Sequence, residues 1–163
     1  MHFAGKAAGG DRNGRIECDQ ANPRQRQRSL RRLVFNLLIT NTDDHLHNCG
    51  LLYDGQGRWR LAPAFDLNPM PGKLRESKTW LSEDTGPIDD LRPLLSHSAR
   101  FGLDGQQAKT VVGQVLSAVA QWRTVGQSAA VGMTTRELEP FSEAFDHPQT
   151  ALAMRLAEGA GTA

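Results

Sequence analysis

A stripe of aliphatic side chains at helical spacing, close to the start of the chain, is the feature that most constrains the fold. The stripe consists of Leu30, Leu33, Val34, Leu37 and Leu38, widened by Phe35 and Ile39. Its periodicity predicts an amphipathic helix that begins near Gln27 and ends between Ile39 and Asn41, where the run Asn-Thr-Asp-Asp favours a loop. A polar loop is therefore expected to start where a buried helix fixes its position.

A second apolar stripe predicts that the last third of the chain is also helical. It consists of Ala108, Val111, Val112, Val115, Leu116, Val119 and Trp122. Asp104 with Gln107, and Thr134 with Glu137, have the spacing of capping boxes at helix starts. Between the two helical regions, 50–54 and 58–62 read as short strands around Gly-Gln-Gly turn residues. The expected fold class is mainly α with a short β-hairpin.

Composition places the chain among ordinary globular proteins and gives no sign of a nucleic-acid or membrane partner. The 163 residues fit one domain, with 39% hydrophobic and 23% charged residues and a net charge of +1. Two cysteines make no disulfide framework. No apolar run approaches the length of a membrane-spanning helix, and the N-terminus lacks the apolar core of a secretion signal. We therefore expect a cytoplasmic protein that binds neither nucleic acid directly nor a membrane.

Three polar residues flank the predicted hairpin, and their order suggests a catalytic site. Asp43 is followed five positions later by Asn48, and Asp66 comes after the second strand, in a Phe-Asp pair. In a kinase, a loop Asp accepts the proton of the substrate hydroxyl, and an Asn and a later Asp hold Mg²⁺ against the ATP phosphates. The hairpin returns the chain so that Asp66 can reach the same cation as Asn48.

Two other interpretations of this loop are open. An isolated Asp-Asp-His, here Asp43 to His45, is more often a turn that caps a helix and pairs a histidine. A metal-hydrolase site would also use His and Asp ligands. The remaining histidines outside the loop, His2, His97 and His147, lie in weak contexts for such a site. The combination of apolar helix, Asp-x₄-Asn, hairpin and Phe-Asp favours the phosphoryl-transfer interpretation.

The residues from Asn41 to Tyr53, together with Trp59 to Pro69, resemble the C-terminal region of HipA-type serine/threonine kinase toxins. The preceding Arg32-Leu-Val-Phe-Asn36 and the distal Phe101-Gly-Leu103 also fit that family, and the resemblance covers roughly 27–147. It implies a protein-kinase-like C-lobe, a HipA-like C-terminal domain over 27–148. Residues 1–26 are expected to be disordered because they contain few apolar side chains. Residues 149–163 are expected to form an Ala/Gly-rich tail.

The resemblance also implies residue roles. Asp43 takes the place of the catalytic base and His45 that of the loop histidine, which orients the loop. Asn48 and Asp66 take the places of the residues that bind Mg²⁺ and, through it, ATP as co-substrate. Asp44 is expected to be structural. The partners implied are a protein carrying the phosphorylated Ser or Thr and a DNA-binding antitoxin, as in a toxin–antitoxin system.

The sequence shows no counterpart of the kinase N-lobe. It contains no Gly-x-Gly-x-x-Gly, and none of its lysines lies on a plausible strand before Asp43. We therefore expect a truncated reading frame or one half of a split kinase, with little activity alone. The alternative is a non-catalytic remnant or binding module that engages an antitoxin or a separate N-lobe protein. The arginine run at 24–32 is read as a solvated helix start or an anion-binding patch.

Overall fold

A computed structural model describes residues 23–55, 59–72, 77–82 and 85–159. Its first element, α1, spans Pro23–Leu38 and carries the predicted apolar stripe on its buried face. Leu30, Val34 and Leu38 are completely buried. The helix begins four residues before the predicted start, because proline is well tolerated in a first helical turn. Pro23 to Arg26, expected to be disordered, are thus helical, whereas residues 1–22 of that expected segment lie outside the described part of the chain.

The predicted hairpin is confirmed with shorter strands. β1 (Leu51–Tyr53) pairs antiparallel with β2 (Trp59–Leu61), with Leu52 opposite Arg60. The next backbone bond, from Ala62 N–H to the Gly50 carbonyl at 2.9 Å, extends the pairing by one step. Pro63 follows directly and ends the strand, as expected from its missing N–H. The rings of Tyr53 and Trp59 form a cross-strand pair with centroids 5.2 Å apart.

The polar stretch that follows is largely irregular in its described residues. Within its described residues, Trp80 and Pro87 form an isolated antiparallel bridge, and Ile88 N–H donates to the Thr79 carbonyl at 2.9 Å. α2 (Leu91–Ser96) ends the stretch, and the Asp90 side chain caps it by accepting from Arg92 N–H. A 3₁₀ turn, Ser98–Phe101, leads on to the distal helices. The described residues 77–82 and 85–90 of this stretch, joined by the bond between Thr79 and Ile88, are called the strap below.

The C-terminal helices complete the core. They are α3 (Gly105–Val119), α4 (Trp122–Gln127), α5 (Thr135–Leu138), α6 (Ser142–Phe145) and α7 (Pro148–Glu158), with a 3₁₀ turn at Glu139–Phe141. Both predicted capping boxes, at Asp104 and at Thr134, are present. α3 packs between α1 and α7, and its stripe from Ala108 to Val119 is buried. Trp122, predicted to continue that stripe, instead starts α4 and stacks on Phe145.

Most of the segment expected to be an Ala/Gly-rich tail is helical and packs on the core. Thr150, Leu152 and Ala153 of α7 are buried, and Ala153 has no exposed surface. The small side chains of this segment allow α7 to approach α3 closely, as at Ala157, which lies near Gly113. The described residues thus form a mainly α fold with one two-stranded hairpin. No helix among them is long and apolar enough to cross a membrane.

Candidate functional site

Hydrogen bonds of Thr40 and Asn41 fix the start of the polar loop after α1. Thr40 adopts a left-handed backbone (φ 53°), and its hydroxyl donates to the Ala144 carbonyl at 2.9 Å. Asn41 is 3% exposed; its N–H donates to the Asn36 carbonyl at 2.8 Å, and its Nδ2 to Asn36 Oδ1 at 3.1 Å. The direction in which the loop leaves α1 is therefore fixed by α1 itself and by the end of α6.

Asp44 anchors the middle of the loop to the strap. Its carboxylate is 8% exposed and accepts hydrogen bonds from the Ser77 hydroxyl and from Lys78 N–H, each at 2.7 Å. The Asp44 carbonyl accepts from the Thr79 hydroxyl. Because a buried carboxylate with well-directed donors rigidifies its surroundings, Asp44 has the structural position expected for it.

Asp43, the preceding residue, is more exposed than Asp44. The Asp43 side chain is 43% exposed and forms an ion pair with Lys78. His45 Nε2 lies 3.7 Å from the same carboxylate oxygen, and its Nδ1 is buried without a hydrogen-bond partner. The His45 ring also makes an edge contact with His47. Asp43 is thus a solvent-accessible carboxylate beside one cation and one imidazole, an arrangement able to accept a proton from a hydroxyl.

Asn48 ends the loop and is oriented by it. The loop closes in a 3₁₀ turn, Leu46–Asn48, in which Asn48 N–H donates to the His45 carbonyl at 2.9 Å. Asn48 Nδ2 donates to the Asp43 carbonyl at 2.9 Å. With its amide nitrogen engaged in this way, the side-chain oxygen is the atom of Asn48 that can serve a metal ion. The five-residue spacing therefore brings Asp43 and Asn48 into direct contact.

Asp66 follows the hairpin in a left-handed conformation. Its φ of 53° is uncommon for a residue other than glycine and is found most often at turns and functional positions. Asp66 is exposed, and one carboxylate oxygen accepts from Asn68 Nδ2 at 2.8 Å. Asp66 forms no hydrogen bond with Asp43 or Asn48 among the bonds of the described residues. The packing of the segment that carries Asp66 connects it to Asp43 and Asn48.

That segment is packed on the loop through Gly50 and tied to α1. A Cβ atom at Gly50 would lie 3.2 Å from Ala62 Cβ and 3.4 Å from the Phe65 ring, so glycine lets the return segment lie close to the loop. Arg32 donates to the Ala62 carbonyl, and Gln25 Oε1 accepts from Leu61 N–H at 3.1 Å. The arginines at 26, 31 and 32 of the predicted run are thus used in packing and bonding: Arg26 lies against Gly102, and Arg31 bonds Gln114.

Carboxylate and amide oxygens, such as those of Asp66 and Asn48, are ligands typical of Mg²⁺ rather than zinc. The described residues contain no group of three or more His, Cys, Asp and Glu placed to hold a metal ion. One carboxylate and one amide oxygen, completed by phosphate oxygens and water, is how Mg²⁺ is commonly bound. Burial raises the pKa of the neighbouring Cys49 thiol, with Arg32 acting in the opposite direction, so Cys49 is not a thiolate ligand at neutral pH.

A cleft of about 510 Å³ opens beside the loop, on the side of Thr42 and Asp44. It lies between the end of α1, the loop at Met70, the strap and the start of α7. Its lining residues include Leu37, Met70, Ile88 and Pro148 as apolar walls, with Asp89, Glu143 and His147 among the polar ones. Sequence reasoning missed both this cleft and Lys78, because the strap lies some 35 residues from the loop and has no periodic pattern.

Comparison with known proteins gives one match. The family described as HipA-like C-terminal domain matches residues 14–123, which includes the loop, the hairpin and α3. No curated protein and no solved structure matches the chain. The match covers about two thirds of the chain and ends within α4, although α7 beyond it packs into the same core. The chain therefore belongs to the HipA-like C-terminal domain family.

Proposed function

We propose that this chain is the catalytic-loop part of a HipA-type serine/threonine kinase, which transfers a phosphoryl group from ATP to a protein hydroxyl. The observation that carries the proposal is the hydrogen bond that joins Asn48 to Asp43, followed by a hairpin that is bonded to α1 and leads to Asp66. Family membership supports it. A role as the toxin of a toxin–antitoxin pair, with a DNA-binding antitoxin as partner, is part of the same proposal and follows from the family alone.

In this function each residue has a distinct role. The Asp43 carboxylate accepts the proton of the attacking Ser or Thr hydroxyl. Lys78 and His45 hold that carboxylate in place, and the Lys78 ammonium stands where developing negative charge on a transferred group can be offset. Asn48 and Asp66 hold Mg²⁺, which when bound neutralises phosphate charge. Asp44 keeps the loop on the strap, so that Asp43 and Asn48 do not move apart.

The second candidate function is a binding module without catalysis. It is favoured by the apolar surface on and after the hairpin, where Leu52, Tyr53, Trp59 and Phe65 are 40–59% exposed. Such surface marks a contact with another protein or lobe. The described residues include one sheet of two strands, so the glycine-rich loop and lysine strand that clamp ATP in kinases are not among them. We therefore expect phosphoryl transfer by the 163-residue chain alone to be weak.

Nucleotide titration distinguishes the two candidates. Isothermal titration calorimetry is expected to show millimolar binding of ATP in the presence of Mg²⁺ and loss of the Mg²⁺-dependent part in Asp66→Asn. Asp54→Asn is the matched control, because Asp54 is an exposed carboxylate on the same hairpin that makes only a 3.6 Å contact with Arg60. Absence of ATP affinity at millimolar concentrations, with and without Mg²⁺, would leave only the binding-module function.

A further inference from the structure

The cleft beside the loop carries an inference about the substrate. Both neighbours of Asp43 in the chain, Thr42 and Asp44, are among its lining residues, and the Thr42 hydroxyl contacts Met70 Sδ at 3.6 Å. A group bound in the cleft therefore lies next to the loop segment that carries the proposed base. Its volume of about 510 Å³ is within the range of sites that bind small ligands or single long side chains.

The charged side chains among the described residues that line the cleft are all acidic. Asp89 and Glu143 are exposed carboxylates, and neither forms an ion pair with a described residue. No Lys or Arg is among the described residues that line the cleft. The Asp44 carboxylate is already bonded to Ser77 and to Lys78 N–H. His147 adds no positive charge at neutral pH, because burial lowers its pKa.

Apolar side chains and one buried amide oxygen also line the cleft. Leu37, Met70, Ile88 and Pro148 supply apolar surface that suits an aliphatic stem. Asn41 also lines the cleft; it is 3% exposed, and its Oδ1 has no donor among the described residues. A buried acceptor without a donor is costly, and a donor-rich ligand group relieves that cost. An apolar channel with carboxylates at its rim and an acceptor within it is complementary to an aliphatic chain that ends in a cation.

We propose that this cleft binds an arginine or lysine side chain of the protein substrate, near the Ser or Thr that is phosphorylated. The inference rests on the proposed kinase function for its biological meaning, but the binding site itself does not depend on it. The rim carboxylates pair with the cationic head, and the apolar walls pack on the stem. The substrate class is therefore a basic segment with a hydroxyl residue close in sequence to the cation.

Peptide binding tests the cleft directly. The probe is a fluorescein-labelled glycine-rich peptide with one central serine and one arginine two or three residues away, and its partner has citrulline, which is neutral and nearly isosteric, in place of arginine. Fluorescence anisotropy on the full chain is expected to show about tenfold tighter binding of the arginine peptide, with the difference reduced by added salt. Equal affinity for the two peptides would overturn the proposal.

Substitutions of Asp89 and Glu143 test whether these two carboxylates cause the preference for the arginine peptide. Asp89→Asn and Glu143→Gln are each expected to reduce the preference for arginine over citrulline about threefold, and the double variant is expected to remove it. Glu139→Gln is the matched control, since Glu139 is exposed, lies one helical turn before Glu143 and does not line the cleft. An unchanged preference in the double variant would also contradict the proposal. Titration with ATP and Mg²⁺ does not involve the cleft, so the proposed function and this inference fail separately.

Discussion

Two adjacent carboxylates, Asp43 and Asp44, lie in opposite environments and have opposite uses. Asp44 is buried and saturated with donors from the strap, whereas Asp43 is accessible beside Lys78 and His45. One residue therefore anchors the loop while its neighbour stays accessible to solvent. The Asp-Asp pair thus combines rigidity and access in two positions, which suits a site that needs a fixed base.

Asp44→Ala is expected to lower the free energy of unfolding by about 2–4 kcal/mol, because it removes the carboxylate that accepts from the buried Ser77 hydroxyl and from Lys78 N–H. Urea denaturation followed by circular dichroism measures the change. Asp54→Ala is the matched control; its exposed ion pair with Arg60 is worth no more than about 1 kcal/mol. A loss for Asp44→Ala no larger than that of the control would show that the strap does not depend on this carboxylate.

His147 gives the fold a pH dependence at the start of α7. Burial is the largest cause that lowers its pKa from 6.5, opposed by hydrogen bonding to the Leu38 carbonyl and by the Asp146 charge. Nδ1 accepts from Gln149 N–H at 3.3 Å, so the neutral ring carries its proton on Nε2, 3.3 Å from the Leu38 carbonyl. A second proton on Nδ1 would remove this helix cap.

The sign of the dependence follows from the lowered pKa. Between the folded pKa and 6.5 the unfolded chain binds more protons than the folded one, so the His147 contribution to stability is complete above pH 6.5 and is lost as the pH falls below it. In urea denaturation from pH 7.5 to 5.0, His147→Asn, which keeps a capping acceptor, is expected to flatten the loss seen below pH 6.5. The same slope in the variant and the parent chain would assign the loss to other groups.

At the scale of elements, periodicity was a reliable guide where a long helix buries one face. The stripes of α1 and α3 and both capping boxes were predictable, because each depends on residues within a few positions of one another. The strap and the cleft were not, since they depend on long-range bonds such as those from Ser77 and Thr79 to Asp44. α7 was missed because its many alanines give a weak apolar pattern, although they are what permits close packing on α3.

Because one face of α7 is buried, Leu152 and Met154 are expected to contribute differently to the free energy of unfolding. Leu152→Ala is expected to lower the free energy of unfolding by about 2–3 kcal/mol, since Leu152 is 8% exposed and belongs to the core. Met154→Ala, at a position that is 48% exposed, is expected to change it by less than about 0.5 kcal/mol. Equal effects in chemical denaturation would mean that the C-terminal helix does not pack stably on the core.

At the scale of the whole molecule, helices that are distant in sequence support a single loop. α1 fixes the loop at Asn41 and the hairpin through Gln25 and Arg32, and α6 holds the loop at Thr40. Asn48 is bonded to the Asp43 carbonyl, and the cleft opens beside Thr42 and Asp44. The order of Asp43, Asn48 and Asp66 could be read from the sequence, but the support that joins these residues comes from tertiary packing.

The most direct test of the central claim is to locate the metal ion. Mn²⁺ replaces Mg²⁺ at oxygen ligands and broadens the NMR signals of nearby nuclei. With ATP and Mn²⁺ added together to ¹⁵N-labelled protein, the backbone amide signals of Asn48 and Asp66 are expected to be lost first, and Asp66→Asn is expected to retain the signal of Asn48. Broadening centred elsewhere, or none near these two residues in the presence of both ligands, would contradict the account.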